Sequence, residues 1–318
     1  MTRKKQVGFS LLETLVALAV LLVVGGIVMT GMVQLMKTQS TIANRTEMHT
    51  SVRSATELLQ QEIGQAGKVS LGAPNTFVTL GSAVLLAGTA PQPFTLSYTG
   101  NVVPYIYQNE VLTVDVGSNQ ETVTVVTAVV TSSSSSGTAV FAKTHLATAP
   151  VTVLGAFAAG VVPPGTGGST STVLKLYGDI NGDGNMVYVE YTCTGTATVP
   201  GVLYRNQMPV TATSKPAPDP TMVLLSNVLA NPNDTNNNAV PCFAYQVQPL
   251  GSGTCVTNVA VTLTVQTQNK DAVTGVPQKE TKALLNVGPR NIVEVYATSN
   301  LVDPTRAQPA PLAVTALF

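Results

Sequence analysis

Between residues 9 and 36 the chain carries a single charged side chain, Glu13, and residues 15–29 are an unbroken run of apolar residues and glycines. About 20 such residues cross a hydrocarbon core as a helix, so this stretch predicts a membrane span. Arg3, Lys4 and Lys5 stand just before it. Basic residues stay on the cytoplasmic side, which places the N-terminus inside and exports the rest. The competing reading is a cleaved secretory signal, with Ala17, Leu18 and Ala19 near the small-residue pattern of such a site. Two features oppose it. Glu13 puts a carboxylate inside the apolar run, where it is costly and calls for a functional partner. The helical pattern also outlasts the membrane: residues 34–65 hold no proline, and Met36, Ile42, Met48, Val52, Ala55, Leu58, Leu59 and Ile63 recur at roughly three- and four-residue steps. One helix from about Phe9 to about Ala66 would be ~85 Å long.

Gly8-Phe9-Ser10-Leu11-Leu12-Glu13, following basic residues and opening an apolar helix, resembles the processing site of type IV pilins and type II secretion pseudopilins. The resemblance implies cleavage after Gly8 by the prepilin peptidase, N-methylation of Phe9 as the mature N-terminus, and an assembly role for Glu13. A charge buried among apolar helices is stable only if paired. Glu13 of one subunit would therefore meet the Phe9 ammonium of the next and set the register; the other reading leaves Glu13 in the headgroup layer. Gly25, Gly26 and Gly31 have low helix propensity and permit close helix approach in lipid. The implied partners are the inner membrane, the peptidase, the major pilin and other minor pilins. The implied location is the inner membrane in a single pass, then a pilus or pseudopilus at the cell surface or in the periplasm.

Beyond the helix the pattern turns to β, so the expected class is α+β: a long N-terminal transmembrane and filament helix, then a β-rich head with an inserted β unit. The expected organisation is a leader at 1–8, the helix at 9–67 with its membrane part at about 9–36, a β-rich inserted region at 68–168, a β-sheet head at 169–302 and a flexible tail at 303–318. Gly67 is the expected helix stop. Residues 103–130 alternate apolar and polar around Gly117-Ser118-Asn119, a hairpin pattern, and residues 131–137, with five consecutive serines, read as a loop or flexible tip. Residues 163–168 are a Pro/Gly breaker that lacks the lysine and following helix of a phosphate loop. Strands are expected at 173–177, 186–193, 242–248 and 259–266, with an Asn-rich loop at 231–238. Residues 58–67 and 288–293 resemble PilW-like minor pilins.

Asp179, Asn181, Asp183 and Asn185, with Gly184 and a following Glu190, have the spacing of a calcium loop, in which alternate oxygen donors face one point. The other reading is a hairpin turn of Asn, Gly and Asp that holds no metal. Of three cysteines, Cys242 and Cys255 flank a turn-rich stretch and are the favoured disulfide, against three buried thiols; Cys193 is left over. The two histidines, His49 and His145, have no neighbouring motif that makes a nucleophile or zinc site recognisable. No catalysis is expected, no cofactor is required, and calcium is the one candidate ion. Charged residues are 10% of the chain and the formal net charge is zero, so no nucleic-acid partner is expected from overall charge. The resulting expectation is a structural minor pilin or pseudopilin in a priming or tip complex of a pilus or secretion filament. The alternative is a pilus-displayed adhesin or DNA-uptake module that binds through residues 103–153.

Overall fold

The computed structural model describes residues 10–318 apart from Leu86, Ser252 and Val302. Helix α1 (Leu11–Gln65) runs for 55 residues, about 82 Å. Ser10 starts it: the Glu13 amide donates to Ser10 Oγ at 3.2 Å and to Ser10 O at 3.0 Å. Serine followed three residues later by glutamate is the spacing of a capping box. At the other end Gly67 stops the helix with φ +82°, where a Cβ would lie 2.8 Å from the Phe157 carbonyl oxygen and 2.9 Å from Ile292 Cγ1. Only glycine closes the helix at that place.

The chain forms two compact units, one holding α1 up to Thr50 with Gln266–Lys279, the other holding Ser51–Val265 with Glu280–Phe318. In the larger unit α1 is followed by β1 (Val78–Leu80), β2 (Gln92–Tyr98), β3 (Val111–Val114), β4 (Glu121–Val130), β5 (Ser135–Ala139) and β6 (Val151–Val153). These strands form an antiparallel sheet in the order β1-β2-β5-β4-β3-β6. Its apolar side is packed with Leu80, Phe94, Leu112, Val123, Val125 and Phe141. The 103–130 hairpin is present as β3 and β4 around Gly117-Ser118-Asn119. The serine run, however, is only partly a loop. Ser135 and Ser136 belong to β5, paired on both sides by β2 and β4, and the turn ends at Ser134, whose carbonyl accepts from the Thr131 amide at 2.9 Å. Two neighbouring strands override the weak local propensity of serine.

After β7 (Ala156–Phe157) come β8 (Val173–Gly178), β9 (Val187–Gly195), β10 (Pro200–Pro209), β11 (Val223–Leu229), β12 (Phe243–Leu250), β13 (Gly253–Gln266) and β14 (Lys279–Val287). They form a second sheet in the order β12-β13-β11-β10-β9-β8, with β14 also on β13. Val259, Val261, Leu263 and Val265 are buried on β13, the alternation read from sequence. Helix α2 (Arg290–Leu301) follows, and Asn291 Nδ2 donates to the Gln65 carbonyl at 3.1 Å and the Ala66 carbonyl at 3.4 Å. The 288–293 segment thus satisfies carbonyls that the end of α1 leaves open.

Two expectations are corrected here. Residues after Asp303 are folded: β15 (Ala307–Gln308) pairs in parallel with β7, and α3 (Leu312–Thr315) follows it. The Gln308 side chain accepts from the Val111 amide at 2.9 Å and donates to the Val111 and Leu154 carbonyls at 2.8 and 2.9 Å; Val314 and Leu317 are buried. A Pro/Ala-rich composition hides one glutamine that satisfies the backbone of β3. The disulfide is Cys193 with Cys242, Cα atoms 6.6 Å apart, and Cys255 is a buried free thiol. Cys242 does not pair with Cys255 because the register forbids it. The Thr262 amide donates to the Cys242 carbonyl, whereas Cys255 lies opposite Gln248 near the other end of the β12–β13 ladder, roughly 20 Å along the strand.

Candidate processing and assembly site

Gly8 and Phe9 lie outside the described residues. Glu13 occupies the first turn of α1 and is exposed; a negative charge there complements the helix dipole. Around and beyond it Leu11, Leu15, Leu18, Leu21, Ile27 and Met36 are exposed. The hydroxyls of Thr14 and Thr30 are turned back onto the helix. Thr14 Oγ1 donates to the Leu11 carbonyl at 2.9 Å and Thr30 Oγ1 to the Gly26 carbonyl at 2.8 Å, so the threonines present methyl groups outward in a region where an unsatisfied hydroxyl is costly. A Cβ at Gly25, Gly26 or Gly31 would meet nothing within 4 Å, so each glycine is an open notch on the helix. One carboxylate therefore stands at the start of an otherwise apolar rod. Such a rod can cross lipid, pack beside copies of itself, and offer one ionic contact.

The last turns of α1 are fixed to the sheet. Glu62 lies on the same stretch as the buried Val52, Ala55, Leu59 and Ile63 and is itself 4% exposed. It accepts from Arg205 Nε at 3.0 Å, from Arg205 Nη2 and from the Tyr191 hydroxyl. Lys68, just past the helix, donates to Asp179 Oδ2 at 2.8 Å.

That last contact decides how the calcium-loop residues are used. Asp179 is 1% exposed; its Oδ1 accepts from the Gly184 amide at 3.1 Å while Lys68 holds Oδ2. Asp183 accepts from the Asn185 amide at 2.8 Å. Glu190, on β9, accepts from the Tyr188 hydroxyl at 2.8 Å and from Lys215 Nζ at 2.6 Å. Asp179, Asp183 and Glu190 are each engaged by a different partner. Among the described residues no three His, Cys, Asp or Glu side chains gather to hold a metal. The turn of Asn, Gly and Asp is present, and its acids, with Glu190, are held by the Gly184 amide, Lys68, the Asn185 amide, Tyr188 and Lys215.

His145, marked by no nucleophile or zinc motif in the sequence, has two acidic partners in the fold. Its ring is fully buried, with Nδ1 3.1 Å from Asp115 Oδ2 and Nε2 2.6 Å from Glu121 Oε1. Phe141 packs edge-on at 5.8 Å. Glu121 also accepts from the Ala142 and Lys143 amides. The two acids flank the β3–β4 turn, so the cluster ties that turn to the segment after β5. Both ring nitrogens are occupied, and the arrangement is a clamp. The sequence signal for it was the pair of acids on either side of Gly117-Ser118-Asn119.

The family model for the prokaryotic N-terminal methylation motif matches residues 3–29. No curated protein and no solved structure matches the chain. The motif and the apolar helix behind it support a type IV pilin-like protein, processed by the prepilin peptidase, anchored by its N-terminal helix and assembled with other pilins.

Proposed function

We propose that this chain is a PilW-like minor pilin or pseudopilin of a priming or tip complex, in a type IV pilus or a type II secretion pseudopilus. The observation that carries the reading is the prepilin motif leading without a break into an exposed apolar helix whose far end is locked to a β-rich head. Cleavage falls after Gly8, Phe9 carries the methylated ammonium, and Glu13 pairs with the Phe9 ammonium of a neighbouring subunit. The pair sets the stagger because a lone charge in the apolar bundle is far less stable than a paired one. N-terminal sequencing of the protein from its host tests the first step: N-methylated Phe9 is expected, and any other first residue rejects the reading. Glu13→Ala tests the second. It should be processed and inserted yet depleted from assembled filaments, and normal incorporation would remove the pairing role.

A second reading, display of a binding surface on the pilus, is favoured by a groove of about 660 Å³ lined by Tyr105, Tyr107, Val126, Ala128, Thr131 and Leu312. Tyrosines beside aliphatic side chains suit an amphipathic ligand. Val126→Asp, on the exposed face of β4, separates the two readings: attachment lost with pili intact favours display, and unchanged attachment leaves assembly alone.

A further inference from the structure

The connection between β13 and β14 belongs to the unit that holds the first part of α1. We propose that the tip of this connection, residues 271–276, is a membrane-surface wedge. It would place Val273 and Val276 among the headgroups of the bilayer that α1 crosses, with Lys270, Lys279 and Lys37 as contacts to anionic phosphates. The inference rests on α1 being the anchor.

Placement is the first argument. Gln278 is bonded to Arg45, Asn269 Nδ2 approaches Asn44 Oδ1 at 3.5 Å, and the Asp271 carboxylate faces the Thr41 hydroxyl. From the base of the connection toward its tip, the partner on α1 moves toward the N-terminus, from residue 45 to residue 41. The apolar run ends at Met36, and Thr41 lies five residues beyond it, about 7.5 Å along the axis. A tip that continues in this direction reaches the level at which the span meets water.

Construction is the second. Asp271 is buried, and its Oδ1 accepts from the Val273 and Thr274 amides at 2.9 and 2.8 Å while Oδ2 accepts from Gln278 Nε2. Its own amide donates to the Val276 carbonyl at 3.0 Å, and the Gly275 amide donates to its carbonyl at 2.8 Å. The Thr274 amide, foremost among these contacts, holds the carboxyl below its ordinary range. The turn is closed on itself, yet it leaves Val273 73% and Val276 58% exposed. Two valines held outward on a tied turn suit insertion into the headgroup and acyl boundary.

Charge is the third. Lys270 and Lys279 flank the tip, Lys37 lies just past the span, and the one acid of the connection, Asp271, is turned inward. On the helix, Glu47 lies beyond Arg45, away from the span. Glu280 follows Lys279 but is half-buried and belongs to the other unit, so the exposed charges on the connection are Lys270 and Lys279, which suits an anionic leaflet.

The test uses the full-length chain, in a Cys255→Ser background, reconstituted in phosphatidylglycerol-containing nanodiscs with headgroup-spin-labelled lipid. A fluorophore is attached in turn to Val273→Cys and to Val33→Cys on the apolar part of α1, and each is compared with nanodiscs that lack the spin label. Quenching at Val273 is expected to exceed the background without spin-labelled lipid several-fold and to fall when Lys270 and Lys279 are changed to glutamine. Quenching at Val33 with none above background at Val273 would overturn the wedge and leave the anchor standing. No quenching at Val33 would overturn the anchor and the wedge together. A Val273 probe shielded only in assembled filaments would assign the tip to a neighbouring subunit and overturn the lipid contact.

Discussion

Glu62 and Arg205 stand 143 residues apart in the sequence and form a part-buried ion pair, with the Tyr191 hydroxyl on the second carboxylate oxygen. Arg205 keeps 22% of its side chain open to water whereas Glu62 keeps 5%, so the two partners are unequal. Loss of the guanidinium strands a buried carboxylate; loss of the carboxylate leaves an arginine that can still reach solvent. Arg205→Ala is expected to cost ~3–5 kcal/mol, and Glu62→Gln, which keeps an acceptor for Tyr191, about 1–2 kcal/mol. Denaturant unfolding of the full chain, followed by tyrosine fluorescence, measures both. Equal costs would show that Glu62 does not depend on Arg205.

The cysteines have a pattern of accessibility. The Cys193–Cys242 bridge spans 49 residues, and chain-entropy arguments assign a loop of that length a stabilisation of about 4 kcal/mol. Burial pushes the Cys255 thiol up from its ordinary range. Alkylation of the native oxidised protein should label no cysteine, denaturation without reductant should expose Cys255 alone, and reduction should expose all three. Peptide mapping that finds Cys242 joined to Cys255 would contradict the β12–β13 register.

The features legible in the sequence are local ones. The long helix could be read because its lipid-compatible run and its three- and four-residue steps lie within one continuous segment, and Gly67 because a left-handed stop favours one residue type. β8, β9 and β13 announced themselves by alternation or apolar runs. β10 and β11 did not: β10 is paired with register shifts at Gly201/Val202 and Leu203/Tyr204, and Asn227 in β11 has φ 58°, so their periodicity is broken. The cysteine pairing, the Asp115–His145–Glu121 clamp and the attachment of Gln308 to β3 all depend on strand register. Register is set by pairing across the sheet, and no short window of sequence contains it. At the N-terminus the motif points to Glu13, and the serine three residues before it is the usual sign of the cap that Ser10 forms.

The Asp179 loop is tied by Lys68, and this makes a prediction about calcium. A cation bound there has to displace an ammonium already 2.8 Å from Asp179 Oδ2 and turn Glu190 away from Lys215. Millimolar calcium is therefore expected to leave the melting temperature of the full-length protein unchanged. Lys68→Met should lower it, since the buried Asp179 side chain would be left with only the Gly184 amide as partner. A calcium-dependent rise in the wild type would show that the loop rearranges into a ligand set.

Asp115 gives the first sheet an acid-sensitive element. Hydrogen bonds from His145 first, then from Asn119 and the Val116 amide, hold its carboxyl down to about 2, from an ordinary value of 3.8. The other charged groups at the cluster are Glu121, on the far ring nitrogen, and Lys143, whose Nζ donates to the Ser118 and Gln120 carbonyls. A carboxyl with a folded value below its unfolded value adds stability that is fully present above the unfolded value and is lost as pH falls through the folded one. The contribution of Asp115 should therefore be intact above about pH 5 and decline between about pH 4 and pH 2. Asp115→Asn keeps an acceptor for the ring but removes the charge. The stability gap between wild type and Asp115→Asn should close as pH falls from about 5 toward 2, as followed by thermal melts across that range. A gap that stays flat to the acid limit would mean that Asp115 acts through packing and neutral hydrogen bonds, and the clamp would then have no dependence on its charge.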